Sequence, residues 1–123
     1  MKKYPKNQTI ILKLGGSVIT KKTSSKAQLK ETVVKQIAKE LKLFTQRFPE
    51  AKIILLHGAG SFGHPLVYKH KLLEKPLAGH QLLGFSETVC SMRRMANLLT
   101  EIFLSNKLPV LPVQTSAMIL PDL

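Results

Sequence analysis

Ile53-Ile54-Leu55-Leu56-His57-Gly58-Ala59-Gly60-Ser61-Phe62-Gly63-His64-Pro65 is the stretch whose reading decides the fold. Four consecutive aliphatic residues bounded by a turn signal suit a strand buried in a parallel sheet. Gly58, Gly60 and Gly63 can adopt positive φ and leave their N–H groups uncovered, which lets a loop close around an anion.

Glycine at a strand end often does no more than turn the chain, and one such loop identifies nothing. A second, earlier one changes the reading: Ile10-Ile11-Leu12-Lys13-Leu14-Gly15-Gly16-Ser17 again ends an apolar run in glycine. Two loops of this kind suggest two phosphates. Lys13 sits at the carboxyl end of its strand, where open α/β sheets bind ligands. An ammonium there can offset charge that develops during phosphoryl transfer.

At 123 residues and 13.7 kDa the chain has room for one modest domain. No apolar run approaches the roughly 20 residues of a membrane span. The opening Met1-Lys2-Lys3-Tyr4-Pro5-Lys6 leads into no signal-peptide core, so the expectation is a cytoplasmic protein with no membrane partner. Cys90 is the single cysteine, which excludes an internal disulfide and a cysteine-based metal site; core packing is its expected role. A net charge of +12 favours anionic partners. With no tryptophan, 6% aromatics and scattered lysines, phosphorylated small molecules are preferred to nucleic acid. Of seven acidic residues only Asp122 is an aspartate, so carboxylates for a metal site are scarce and none is assigned.

Along the chain, Thr9–Leu14 reads as the first strand and 18–27 as a polar loop able to lie over a site. Ser25 and Gln28 have capping-box spacing, and a helical stripe follows at Leu29, Val33, Ile37, Leu41, Phe44 and Phe48. Lys30 and the other charges opposite read as solvated surface, and Pro49 marks the helix end. The second strand is expected at 52–56, giving a strand–helix–strand unit with a right-handed crossover. Residues 65–75 read as a short helix or irregular segment, with His70 and His80 as surface or locally bonded side chains. A second long helix follows, with Phe85, Val89, Met92, Ala96, Leu99 and Phe103 on its stripe and Met95, Leu98 and Ile102 broadening it. Ser105-Asn106-Lys107 ends it, and 108–113 reads as a third strand restricted by Pro109 and Pro112. Gln114, Thr115 and Ser116 then stand where a ligand could be met, and the apolar ending reads as a domain cut partway.

The two loops, Lys13-Leu14-Gly15-Gly16-Ser17 and His57-Gly58-Ala59-Gly60-Ser61-Phe62-Gly63-His64-Pro65, together with Met92-Arg93-Arg94, resemble the amino acid kinase superfamily and, within it, the isopentenyl phosphate kinases. The resemblance runs over essentially the whole chain. It implies a three-layer αβα sandwich with a mainly parallel central sheet, of which residues 1–123 form the N-terminal, acceptor-binding half. The implied reaction moves the γ-phosphoryl group of ATP, with Mg2+, onto isopentenyl phosphate in isoprenoid biosynthesis.

By the same resemblance Lys13 would be catalytic and bridge the transferring phosphoryl group, with Gly15, Gly16, Ser17 and Lys22 around the ATP phosphates. Gly58, Ala59 and Gly60 would hold the acceptor phosphate, and His64 would orient it. His57 is left as structural. A phosphate acceptor needs no deprotonation near neutral pH, so His64 serves position and charge. Ala59 departs from the family's usual glycine, and Lys21 from the acidic residue that often precedes the loop lysine. Family members are about twice as long, and the base and ribose of ATP bind in their second half. The implied partners are a second copy of the chain and a separately supplied C-terminal half. The alternatives are a related kinase for another phosphate or phosphonate such as fosfomycin, and a non-catalytic remnant.

Overall fold

In a computed structural model, residues 8–22, 26–75 and 78–118 are described. Strand β1 (Thr9–Leu14) leads through one helical turn, α1 (Gly16–Ile19), to helix α2 (Glu31–Arg47) and strand β2 (Lys52–His57). Helices α3 (Gly60–Lys69) and α4 (Gln81–Ser105) follow, and a short 3-10 turn covers Thr115–Ala117. The two strands pair in parallel, from Thr9 opposite Lys52 to Leu14 opposite His57. The pairing runs on into the second loop, where the Gly58 N–H donates to the Leu14 carbonyl at 2.9 Å.

Side chains alternate across a strand, so Ile10, Leu12, Leu14, Ile53 and Leu55 share one face while Ile11, Lys13, Ile54 and Leu56 share the other. The core forms on the first face. Leu14, Ile53 and Leu55 meet Val34, Ala38 and Leu41 of α2, and Met95, Leu99 and Phe103 of α4 continue the same cluster. On the second face Ile11, Ile54 and Leu56 are 65%, 48% and 46% exposed. This is an α/β fold built on a parallel sheet. The described residues supply the strands and one helical layer of the expected sandwich.

Several local expectations are corrected. Helix α2 starts at Glu31, beyond the proposed Ser25–Gln28 box; Ser25 lies outside the described residues. An antiparallel bridge between Thr20 and Leu29 holds that segment extended instead. Of the expected α2 stripe, Leu41 is buried and Ile37 packs on the core, but the buried face is widened to one side: Val34 and Ala38 are wholly buried while Val33 is 36% exposed. In α4 Met95, Leu99 and Phe103 are buried as expected, together with Gly84, but Phe85 at the start of the expected stripe is exposed. Cys90 is exposed rather than in the core.

Residues 108–113 run outside the sheet, and among the described residues only β1 and β2 pair. Pro109 and Pro112 remove the ladder donors a third strand would need. Leu108 is buried all the same, anchoring the segment to the core. The glycine-rich loop is also shorter than expected, because α3 begins at Gly60 and carries Pro65 in its second turn. A proline there deprives the Ser61 carbonyl of its usual i+4 donor.

Candidate functional site

Both glycine turns lie at the carboxyl ends of the paired strands, and the parallel register delivers them side by side. They touch backbone to backbone. A Cβ added to Gly58 would lie 2.7 Å from the Gly16 nitrogen, and one added to Gly16 would lie 2.7 Å from the Gly60 Cα and clash with the Gly60 nitrogen. No side chain fits in that space. Gly60 adds a conformational requirement, because its φ of +49° favours glycine.

Thr20 joins the two turns from below. It is 1% exposed. Its hydroxyl donates to the Gly16 carbonyl at 2.7 Å and accepts the Ser61 N–H at 3.1 Å. Its place is fixed on one side by α1, where the Thr20 N–H bonds the Gly16 carbonyl at 2.9 Å, and on the other by the bridge to Leu29. Lys30 reinforces this segment: its N–H bonds the Ile19 carbonyl at 2.8 Å and its Nζ bonds the Ser17 carbonyl, also at 2.8 Å. Sequence reasoning placed Thr20 in a polar loop and Lys30 in solvent. The available clue was that Thr20 continues the apolar pair Val18-Ile19 before the lysines begin.

Some donors of the junction are already used. The Gly58 N–H belongs to the strand ladder, the Phe62 N–H bonds the Ala59 carbonyl at 3.1 Å, and the Ser61 N–H bonds Thr20. What Gly58 contributes here is its bare Cα. The N–H groups of Gly15, Gly16, Ala59 and Gly60 donate to no protein acceptor among the described residues. Ser61 Oγ is buried and likewise without a partner. A phosphate, with several acceptor oxygens, matches a set of donors of this kind.

Lys13 stands one pairing step before the junction, opposite Leu56 and exposed on the uncovered sheet face. His64 is exposed on α3, one turn after Gly60. Ser17 and Lys22 are exposed, and no hydrogen bond or ion pair joins Lys22 to the two turns among the described residues. His57 is partly buried, with Nδ1 3.4 Å from the Gly58 carbonyl oxygen.

Helix α3 is seated on α4 where Gly63 meets Met92: a Cβ on Gly63 would lie 3.2 Å from the Met92 sulfur. Ser91 Oγ donates to the Phe62 carbonyl at 2.7 Å, so α4 fixes the height of the helix that carries His64. Farther out, His70 Nε2 lies 2.8 Å from Glu87 Oε2, and the His70 ring packs on Gly84. Arg93 donates from Nε to Gln114 Oε1 at 2.9 Å. A cleft of about 650 Å3 lies elsewhere, between 27–33 and α4, and none of the expected phosphate-binding residues lines it.

Among the described residues no three His, Cys, Asp or Glu side chains gather at metal-ligand geometry. Asp122 lies outside them. The uncommitted polar groups of the junction among the described residues are the backbone N–H donors and the Ser61 hydroxyl. No helix of the described residues is long and apolar enough to cross a membrane.

The sequence profile of the amino acid kinase family matches residues 8–118. The isopentenyl phosphate kinase of Methanocaldococcus jannaschii is 33% identical over 114 residues, which are 89% of this chain and 44% of that protein. The isopentenyl phosphate kinase of Methanothermobacter thermautotrophicus is 31% identical over 115 residues, covering 89% and 41%. A crystal structure of an isopentenyl phosphate kinase superposes with a TM-score of 0.78 at 31% identity, over 89% of this chain and 45% of that one. The chain thus spans less than half the length of the relatives it matches. With the paired glycine turns and the parallel strands that carry them, the match over residues 8–118 shows that the chain belongs to the amino acid kinase family.

Proposed function

We propose that this chain carries the acceptor-phosphate side, and part of the phosphoryl-transfer site, of an isopentenyl phosphate kinase. The observation that supports this reading is the backbone contact of Gly16 with Gly58 and Gly60, which sets two groups of free N–H donors next to each other. Phosphoryl transfer between two phosphates needs such a junction, because donor and acceptor phosphates must be held in line and their repulsion offset.

In the proposed reaction a terminal oxygen of isopentenyl phosphate attacks the γ-phosphorus of ATP. A new P–O bond forms as the bond to the β,γ-bridging oxygen breaks, and ADP leaves with that electron pair. Ala59 and Gly60 offer N–H groups to the acceptor phosphate, with His64 orienting it. Gly15 and Gly16 offer theirs to the transferring group, and Lys13 neutralises the charge shared between the two. Mg2+ supplies further neutralisation when it arrives on the ATP phosphates. The family resemblance assigns ATP's base and ribose to the part of the relatives that this chain does not span.

The test is formation of isopentenyl diphosphate from Mg-ATP and isopentenyl phosphate. The chain is assayed alone and with a polypeptide corresponding to the remainder of the M. jannaschii relative, and fosfomycin serves as the competing acceptor. Product that disappears in both Lys13→Ala and His64→Ala chains supports the reading. No product from isopentenyl phosphate under either condition overturns it, and turnover of fosfomycin alone reassigns the acceptor.

A further inference from the structure

The Thr20 hydroxyl hydrogen-bonds both glycine turns. It closes a three-part junction: the Gly16 carbonyl on one side at 2.7 Å, the Ser61 N–H on the other at 3.1 Å, and the Thr20 side chain packed beneath Gly60. A donor and an acceptor are satisfied by a single hydroxyl buried to 1% exposure. A buried group used in both directions fixes the distance between its two partners more tightly than either loop fixes itself.

We infer that Thr20 is a positioning residue for phosphoryl transfer: its hydroxyl holds the ATP-side turn and the acceptor-side turn at one separation. This rests on the kinase reading given above. Thr20 touches neither phosphate. It acts through the Gly16 carbonyl, which orients the peptide planes of the first turn. It acts equally through the Ser61 N–H, which fixes the first turn of α3 and with it Gly60 and His64. Occupying the Ser61 N–H also withholds it from the ligand, so the free donors of the second loop are limited to Ala59 and Gly60. Misplacement of reacting groups by about 1 Å can cost on the order of a hundredfold in rate. A methyl in place of the hydroxyl would leave the Ser61 N–H unpaired and the Gly16 carbonyl with the Thr20 N–H alone.

The experiment compares the unaltered chain with Thr20→Ser, which keeps the hydroxyl, and Thr20→Val, which keeps the shape. Amide hydrogen exchange is read at Ala59, Gly60 and Ser61, and isopentenyl phosphate affinity by calorimetry. In the unaltered chain Ser61 is expected to exchange about tenfold more slowly than Ala59 and Gly60. Thr20→Ser retains that protection and affinity within about twofold, whereas Thr20→Val loses the protection and binds about tenfold more weakly. Equal exchange at the three amides of the unaltered chain overturns the inference even where Thr20→Val does not fold. Undiminished affinity in a folded Thr20→Val chain overturns it too. An unaltered chain that protects Ser61 through Thr20 but binds no isopentenyl phosphate upholds the junction and overturns the kinase reading alone.

Discussion

Replacing Gly60 by alanine strikes the junction at its least forgiving point. The residue has φ +49°, and an added Cβ would lie 2.7 Å from Thr20 Cγ2 and 2.8 Å from the Gly16 carbonyl oxygen, and would clash with Thr20 Oγ1. Left-handed backbone costs an L-residue roughly 1–2 kcal/mol. Overpacking a filled site costs typically about 1–3 kcal/mol more. The sum, roughly 2–5 kcal/mol, is a large share of the roughly 5–15 kcal/mol that holds a domain folded. Gly15 supplies the control. Its φ is −61° and an added Cβ would make ordinary contact with Val18 Cγ2 at 3.5 Å. Gly15→Ala is therefore neutral or stabilising by up to about 1 kcal/mol, through the unfolded chain. Urea unfolding separates the two, since at an m-value of about 2 kcal/mol/M the Gly60→Ala midpoint falls by roughly 1–2.5 M. Coincident midpoints for Gly60→Ala, Gly15→Ala and the parent chain would refute the packed junction.

The phase of α2 is tested by Val34→Ala against Val33→Ala: the first removes a wholly buried side chain and should cost about 1–3 kcal/mol in denaturant unfolding, the second less than about 0.5 kcal/mol. Gln81, buried at the start of α4, accepts the Ala78 N–H and donates to the Lys71 carbonyl, both at 2.6 Å. Gln81→Ala leaves the Ala78 N–H unpaired and the Lys71 carbonyl with the Glu74 N–H alone, and a thermal melt should show about 1–3 kcal/mol of destabilisation. Lys13→Ala, at an exposed site, should leave the melt within about 0.5 kcal/mol of the parent while lowering phosphoryl transfer by about a hundredfold or more. Unchanged turnover there would remove Lys13 from the mechanism.

What the sequence made legible follows from how local each signal is. Strand β1 lies on its expected residues, 9–14, and β2 extends the expected 52–56 by His57, because short aliphatic runs ended by glycine leave few alternatives. The amphipathic helices were legible as helices, and Leu41, Leu99 and Phe103 are buried as their stripes imply, but the edges of the buried faces were not legible. Leu29 fits the α2 stripe by spacing, yet a tertiary bridge to Thr20 draws it out of the helix, and Val34 and Ala38 join Leu41 on the buried face in place of Val33. Residues 108–113 have strand-like composition, but proline decides against pairing. At the site, the glycine turns announced themselves, whereas Thr20 and Ser91 did not. Their roles depend on partners far along the chain: Ser61 lies 41 residues from Thr20 and Phe62 lies 29 from Ser91, and a lone hydroxyl carries no mark of such a partner.

The central claim is that two touching turns make one cradle for two phosphates, and titration of the chain with isopentenyl diphosphate, the proposed product that carries both, followed residue by residue at the backbone amides, tests it most directly. The account predicts saturable shifts that move together at Gly15, Gly16, Ala59 and Gly60, with the Gly58 amide, tied to Leu14, moving least. Shifts confined to one turn, or centred on the cleft between residues 27–33 and α4, would contradict it.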